Sequence, residues 1–149
     1  MSIRVLLCDD HSIVREGLRA LLAGHRDLEV VAEAGDGLTT VKMAGELLPD
    51  VAILDISMAD LNGIEATRQV IAVSPCTKVV ALSMHAGWVF VERTLRAGAS
   101  GYLLKDCAFE ELVSAVRAVA RGDSYLSPGV VGPEDGEPLG YAPAAGSGG

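Results

Sequence analysis

Five short apolar runs punctuate the chain: Ile3–Cys8, Leu28–Ala34, Val51–Leu54, Lys78–Leu82 and Gly101–Leu104. Most are unbroken stretches of Val, Ile, Leu and Ala rather than alternating ones, the pattern of strands covered on both faces. Longer segments with helical spacing lie between and after them. Val14, Leu18, Leu21 and Leu22 mark the apolar face of the first, with Ser12 predicted as its cap and Gly24 as its end. Leu38–Leu48 forms the second and stops at Pro49; Ile64–Val73 is the third, and Val89–Ala97 the fourth, closed by Gly98. The fifth, Phe109–Arg121, points Phe109, Leu112, Val113, Val116 and Val119 inward and carries Arg117 and Arg121 near its negative end.

A strand followed by a helix, five times over, predicts a mostly parallel sheet with helices on both faces, because right-handed crossovers place them there. The predicted fold class is doubly wound α/β over residues 1–127. Residues 128–149 are rich in Gly, Pro and Ala, with three acids and no Lys or Arg, and have neither strand nor helix period. They are expected to form a flexible linker or tail.

Charge narrows the function. Among 149 residues, 12 are Lys or Arg and 20 are Asp or Glu, for a net charge of -8. Without the tail, 17 acidic residues still face 12 basic ones, so the folded part is itself acidic. Direct binding of nucleic acid needs a basic face, and the 4% aromatic content disfavours a base-stacking platform. No apolar run approaches the ~20 residues of a membrane span, and the first residues lack the order of a signal peptide. A soluble, cytoplasmic chain is expected. Cys8, Cys76 and Cys107 are odd in number and widely spaced, which favours reduced thiols over disulfides or zinc.

Ligand sites of open α/β sheets lie beyond the carboxyl ends of the strands. The first strand ends in Asp9-Asp10, the third in Asp55, the fourth in Ser83 and the fifth in Lys105. Two carboxylates ~4 Å apart repel by about 4 kcal/mol at an effective dielectric near 20, so the set calls for a neutralising partner. Mg²⁺, which keeps waters and takes a phosphate oxygen, suits such an incomplete oxygen cage. A metal, an ammonium and a hydroxyl around one carboxylate describe a site for phosphoryl transfer.

Four motifs, Leu6-Leu7-Cys8-Asp9-Asp10-His11, Leu54-Asp55-Ile56-Ser57-Met58, Leu82-Ser83-Met84-His85 and Gly101-Tyr102-Leu103-Leu104-Lys105-Asp106, occur in this order at strand ends. The pattern resembles the receiver domain of bacterial two-component response regulators. The approach to Lys105 and the exit Tyr125-Leu126-Ser127-Pro128 are similar to receivers that precede a LuxR-type helix-turn-helix. The resemblance implies a flavodoxin-like sheet of five parallel strands in the order 2-1-3-4-5, with five helices. It implies Asp55 as phosphoacceptor from a sensor histidine kinase, and Mg²⁺ held by Asp10 and Asp55, by Asp9 through water and by the Ser57 backbone carbonyl. Lys105 would pair with the phosphoryl group and Ser83 would hydrogen-bond to it, with Tyr102 as an aromatic switch. A homodimer through helix 4, strand 5 and helix 5, or through helices 1 and 5, is among the partners it implies. DNA is expected only through an output domain, and no helix-turn-helix pattern follows in this sequence.

The sequence departs from the family at Ala59 and Asp106, where Pro is common, and at Met84, which is larger than usual and is expected to slow access to an acyl phosphate. Two other functions are compatible with parts of this set. A phosphohydrolase with an Asp nucleophile would carry Asp-x-Asp after the first strand, where this chain has Asp9-Asp10-His11. A phosphate-independent interaction module would not need the complete acceptor set. His11, His25 and His85 are expected at the surface or in supporting roles, and Gly35-Asp36-Gly37 as a plain turn. Trp88-Val89-Phe90-Val91 cannot all be buried by one helix face, so an exposed apolar patch for a dimer or partner is expected there.

Overall fold

The computed structural model describes residues 2–56 and 62–130. Ser57, Ala59 and the predicted tail from residue 131 onward lie outside the described residues. The strands are β1 (Ile3–Cys8), β2 (Leu28–Ala34), β3 (Val51–Asp55), β4 (Lys78–Ser83), β5 (Gly101–Leu104) and β6 (Tyr125–Leu126). The helices are α1 (Ser12–Ala23), α2 (Gly37–Leu47), α3 (Gly63–Val73), α4 (Trp88–Arg96) and α5 (Ala108–Ala120), with a 3-10 turn at Lys105–Cys107. All pairings are parallel, in the order β2-β1-β3-β4-β5-β6.

The predicted sheet of five strands is therefore corrected to six. Two residues are too few to show a strand period, which is why Tyr125–Leu126 reads as an exit in the sequence. Backbone bonds and one side-chain network hold it in place. The Tyr125 and Ser127 N–H groups donate to the Ser100 and Tyr102 carbonyls, at 3.1 and 2.9 Å. Leu104 N–H donates to Ser127 Oγ at 3.0 Å. The Tyr125 and Ser127 hydroxyls both donate to Glu111 Oε1 on α5. Packing continues past residue 127, since Val130 is buried against Ala81, Val91 and Tyr102.

The unbroken apolar strands are explained by two cores. Val5, Leu7, Val51, Ile53, Val80, Leu82 and Leu103 face one side, against Leu18 and Leu22 of α1 and Leu112, Val116 and Val119 of α5. Leu6, Cys8, Ala52, Leu54 and Val79 face the other, against Ala44 of α2 and Val70 of α3. Each strand alternates sides by one residue, and both sides are apolar because both are covered.

Local signals set the helix ends. Asp36 caps α2 by accepting from Thr39 N–H at 2.7 Å, and Asn62 caps α3 by accepting from Ile64 and Glu65 N–H. Before Pro49, Leu48 turns left-handed at φ 50° and ends α2; Gly98, at φ 117°, follows α4.

Two further expectations fail. Ser12 is the first helical residue and not the cap, which is His11, because the Asp9 side chain accepts His11 N–H and holds that residue extended. Phe109 is 52% exposed and not inward. Its ring lies over Gly17 of α1, in the space a side chain there would fill, since a Cβ at Gly17 would come within 2.9 Å of it. On α4, Val91 is buried while Val89 is 60% exposed, so the apolar run does leave a patch in solvent. No helix among the described residues is long and apolar enough to cross a membrane.

Gly63 is the tightest glycine. A Cβ there would stand 2.1 Å from Ile56 Cα, a backbone atom next to Asp55 that cannot swing away. Gly63→Ala is expected to destabilise the fold by about 1–3 kcal/mol, measured as a lower urea midpoint with an unchanged slope.

Candidate phosphoacceptor site

The parallel register brings the carboxyl ends of four strands level. Cys8 pairs with Leu54, Asp55 with Leu82, and Ser83 with Leu104, so Asp9, Asp55, Ser83 and Lys105 emerge on one rim. Asp9 and Asp55 are fully buried. The Lys105 ammonium donates to Asp55 Oδ2 at 2.8 Å and lies 3.4 Å from Asp9 Oδ2. Asp10 is exposed beside them. Burial, assisted by the nearby Asp55 charge, raises the Asp9 pKa above the ordinary carboxyl range, against the opposing His11 N–H and Lys105. Burial alone would lower Lys105, but its hydrogen bond to Asp55 and the two carboxylate charges raise it overall.

The second half of the rim is built on His85. Ser83, buried, accepts His85 N–H on its Oγ at 2.9 Å. Tyr102, also buried, donates its hydroxyl to the His85 carbonyl at 2.6 Å. Burial pushes the Tyr102 phenol up, with the Ser83 hydroxyl opposing. The His85 ring stacks on Phe90 of α4, with centroids 3.9 Å apart and planes 8° from parallel. Both rings line a cavity of about 390 Å³ together with Ile56, Asn62, Ile64 and Arg93.

The structure thus brings together Asp9, Asp10, Asp55 and Lys105, with Ser83 and Tyr102 joined through His85; Ser57 lies outside the described residues. Sequence reasoning missed two members. His11 enters the acidic cluster, its Nδ1 lying 3.2 Å from Asp9 Oδ1 and 3.1 Å from Asp10 Oδ1. Arg15 donates to the Asp9 carbonyl at 2.5 Å. The available signal was adjacency: His11 follows Asp9-Asp10 and starts the helix that carries Arg15 one turn later.

A family model described as the response regulator receiver domain matches residues 5–117. The chain belongs to this family. Its receiver is 42% identical over 128 residues to the transcriptional regulatory protein DegU of Brevibacillus brevis, covering 86% of this chain and 54% of that protein. It is 43% identical over 126 residues to the response regulator GacA of Pseudomonas viridiflava, covering 85% and 59%. The chain thus spans little more than half the length of these curated relatives. Among solved structures, a LuxR-family two-component response regulator from an Aurantimonas species superposes with a TM-score of 0.83 at 36% identity, covering 87% of this chain and 93% of that one. The receiver is accordingly related to response regulators rather than to enzymes that turn over an external substrate.

The raised Asp9 carboxyl has a thermodynamic sign. The folded receiver holds that proton more tightly than the unfolded chain, so the contribution of Asp9 is fully present below the unfolded carboxyl pKa. It is lost as pH rises through the higher folded value. Asp9→Asn is expected to stabilise the metal-free receiver at neutral pH by about 1–3 kcal/mol and to flatten this part of the pH profile. Urea unfolding in chelator at several pH values measures both.

Proposed function

We propose that the receiver accepts a phosphoryl group on Asp55 from a phosphohistidine of a sensor kinase and changes its contacts in response. The observation that carries this reading is the buried Asp55 carboxylate at the strand-end rim with the Lys105 ammonium 2.8 Å away. An Asp55 oxygen attacks phosphorus; the P–O bond forms as the P–N bond breaks, and its electron pair leaves on the imidazole nitrogen. Lys105 compensates the charge of the transferred group, and the Ser83 hydroxyl supplies a donor.

The donor set fits Mg²⁺. Asp9, Asp10 and Asp55 converge, and the buried Asp9 Oδ2 has no hydrogen-bond partner among the described residues. Asp10, Asp55 and the Ser57 carbonyl would hold the ion directly and Asp9 through water. When bound, the ion neutralises charge on the phosphoryl oxygens. Hydrolysis of the resulting acyl phosphate resets the receiver.

The shared partner of Ser83 and Tyr102 supports the switch reading. If Ser83 turns toward a phosphoryl group it releases His85 N–H, and the same residue's carbonyl holds Tyr102. The change is thereby passed to the face of α4, β5 and α5. Exposed apolar residues there, Val89 and Phe90, and at α1 and α5, Ile13 and Phe109, offer two surfaces for a homodimer or a partner. In this reading residues 1–127 form the receiver and 128–149 a linker whose first residues, as far as Val130, still pack on the receiver, with DNA reached only through an output domain.

Intact mass after incubation with a small acyl-phosphate donor, or with a sensor kinase, tests the chemistry. A gain of one phosphoryl group that requires Mg²⁺ and vanishes in Asp55→Asn is expected; an equal gain in that variant would overturn the assignment. Met84, 64% exposed and next to Ser83 in the chain, would in this reading screen the acyl phosphate from water. Met84→Ala is expected to speed dephosphorylation several-fold, followed by the decay of the phosphorylated mass.

A further inference from the structure

Beyond α5 the chain returns to β5 and ends its described course on a buried residue. Val130 is fully buried, and one of the side chains it covers is Tyr102. A short built segment puts it there. Ser127, itself buried, donates its N–H to the Tyr102 carbonyl at 2.9 Å. Its hydroxyl accepts Leu104 N–H and donates to Glu111 Oε1, each at 3.0 Å. From Ser127 the chain makes a β-turn, closed by Val130 N–H donating to the Ser127 carbonyl at 3.1 Å. Pro128 takes the second position of that turn, where its fixed φ is favoured. The turn passes close over β5, since a Cβ at Gly129 would stand 2.9 Å from Leu104 Cδ1. The same four residues thus hold the Tyr102 backbone at Ser127 and wall its ring at Val130.

Val130 completes an apolar group with Ala81, Val91 and Tyr102, against which Trp88, Leu95 and Leu126 pack. At the far end of the ring, the Tyr102 hydroxyl donates to the His85 carbonyl at 2.6 Å. The ring is therefore fixed twice, by a polar anchor in the segment after Ser83 and by an apolar cover from the linker. Leaving this seat costs Tyr102 both contacts together.

We infer that Val130 is a positioning residue for Tyr102, holding the ring in its buried seat and coupling the linker to the Asp55 site. The inference rests on the switch reading above and names the part of the chain that senses the switch. The Ser83 and Tyr102 hydroxyls meet at the backbone of His85. A Ser83 side chain turned toward a phosphoryl group leaves that space to the tyrosine and favours the seated ring. A seated ring in turn favours a seated Val130. Coupling of this kind is reciprocal: phosphorylation tightens the linker on the receiver, and a loosened linker weakens the phosphorylated state.

Two measurements on the full chain test this, with Val130→Ser as the disruptive variant and Val130→Ile as the conservative one. Nitration by tetranitromethane, located by mass spectrometry, reads Tyr102 without any phosphoryl donor. Tyr102 is expected to react several-fold faster in Val130→Ser and close to the wild-type rate in Val130→Ile. The urea midpoint is expected to move little, because Val130 joins neither of the two large cores. Equal Tyr102 rates in wild type and Val130→Ser would overturn the positioning role. Hydrogen exchange then reads the coupling. The Ser127 and Val130 amides are expected to exchange about fivefold or more slowly once Asp55 is phosphorylated. Unchanged exchange in a chain whose mass shows one added phosphoryl group would overturn the coupling and leave the acceptor reading standing. No phosphoryl gain from either a small donor or a sensor kinase would count against the acceptor reading and overturn the coupling with it.

Discussion

Two carboxylates buried side by side at the end of a parallel sheet are the constraint around which the rim is arranged. Asp9 and Asp55 are both inaccessible to water, and a single ammonium, that of Lys105, reaches both. Removing the Lys105 ammonium would leave two uncompensated buried carboxylates, which is costly, whereas the intact arrangement is at best roughly neutral. Its value is therefore not stability. An acidic site left under-compensated attracts cations, which would relieve the repulsion that the fold maintains.

Holding that arrangement falls to the strands. β1, β3, β4 and β5 end level because their register is fixed by two apolar cores, and slipping one strand by a residue would carry its apolar side chains to the wrong core. The helix caps finish the rim. Asn62 and Gly63 start α3 against Ile56, directly after Asp55, with no room for a larger residue at Gly63. The acidic side of the site is thus held by the strands and the start of α3, and the other side by Ser83 and Tyr102, joined through the backbone of His85.

The major elements were legible because burial on both faces writes continuous apolar strands and amphipathic helices write a helical period. The placement of Asp9, Asp10, Asp55, Ser83 and Lys105 on one rim was legible because each ends or closely follows a strand. What stayed hidden depends on contacts between distant residues. β6 has two residues and exists through bonds to Ser100, Tyr102 and Glu111. Phe109 reads as a core residue until Gly17 leaves it a seat on the surface. His11 looks isolated until the Asp9 side chain turns the chain and brings the ring over the acids.

The sixth strand also fixes where anything attached after the receiver begins its path. The reach of a tether is counted from its last anchored residue. Among the described residues, packing reaches Val130, held beside Tyr102 and Val91, well past Arg121 at the end of α5. The residues between them add nothing to the tether's length. Anything that follows would therefore start from the α4–β5 side, and its starting point would move whenever β5 moves.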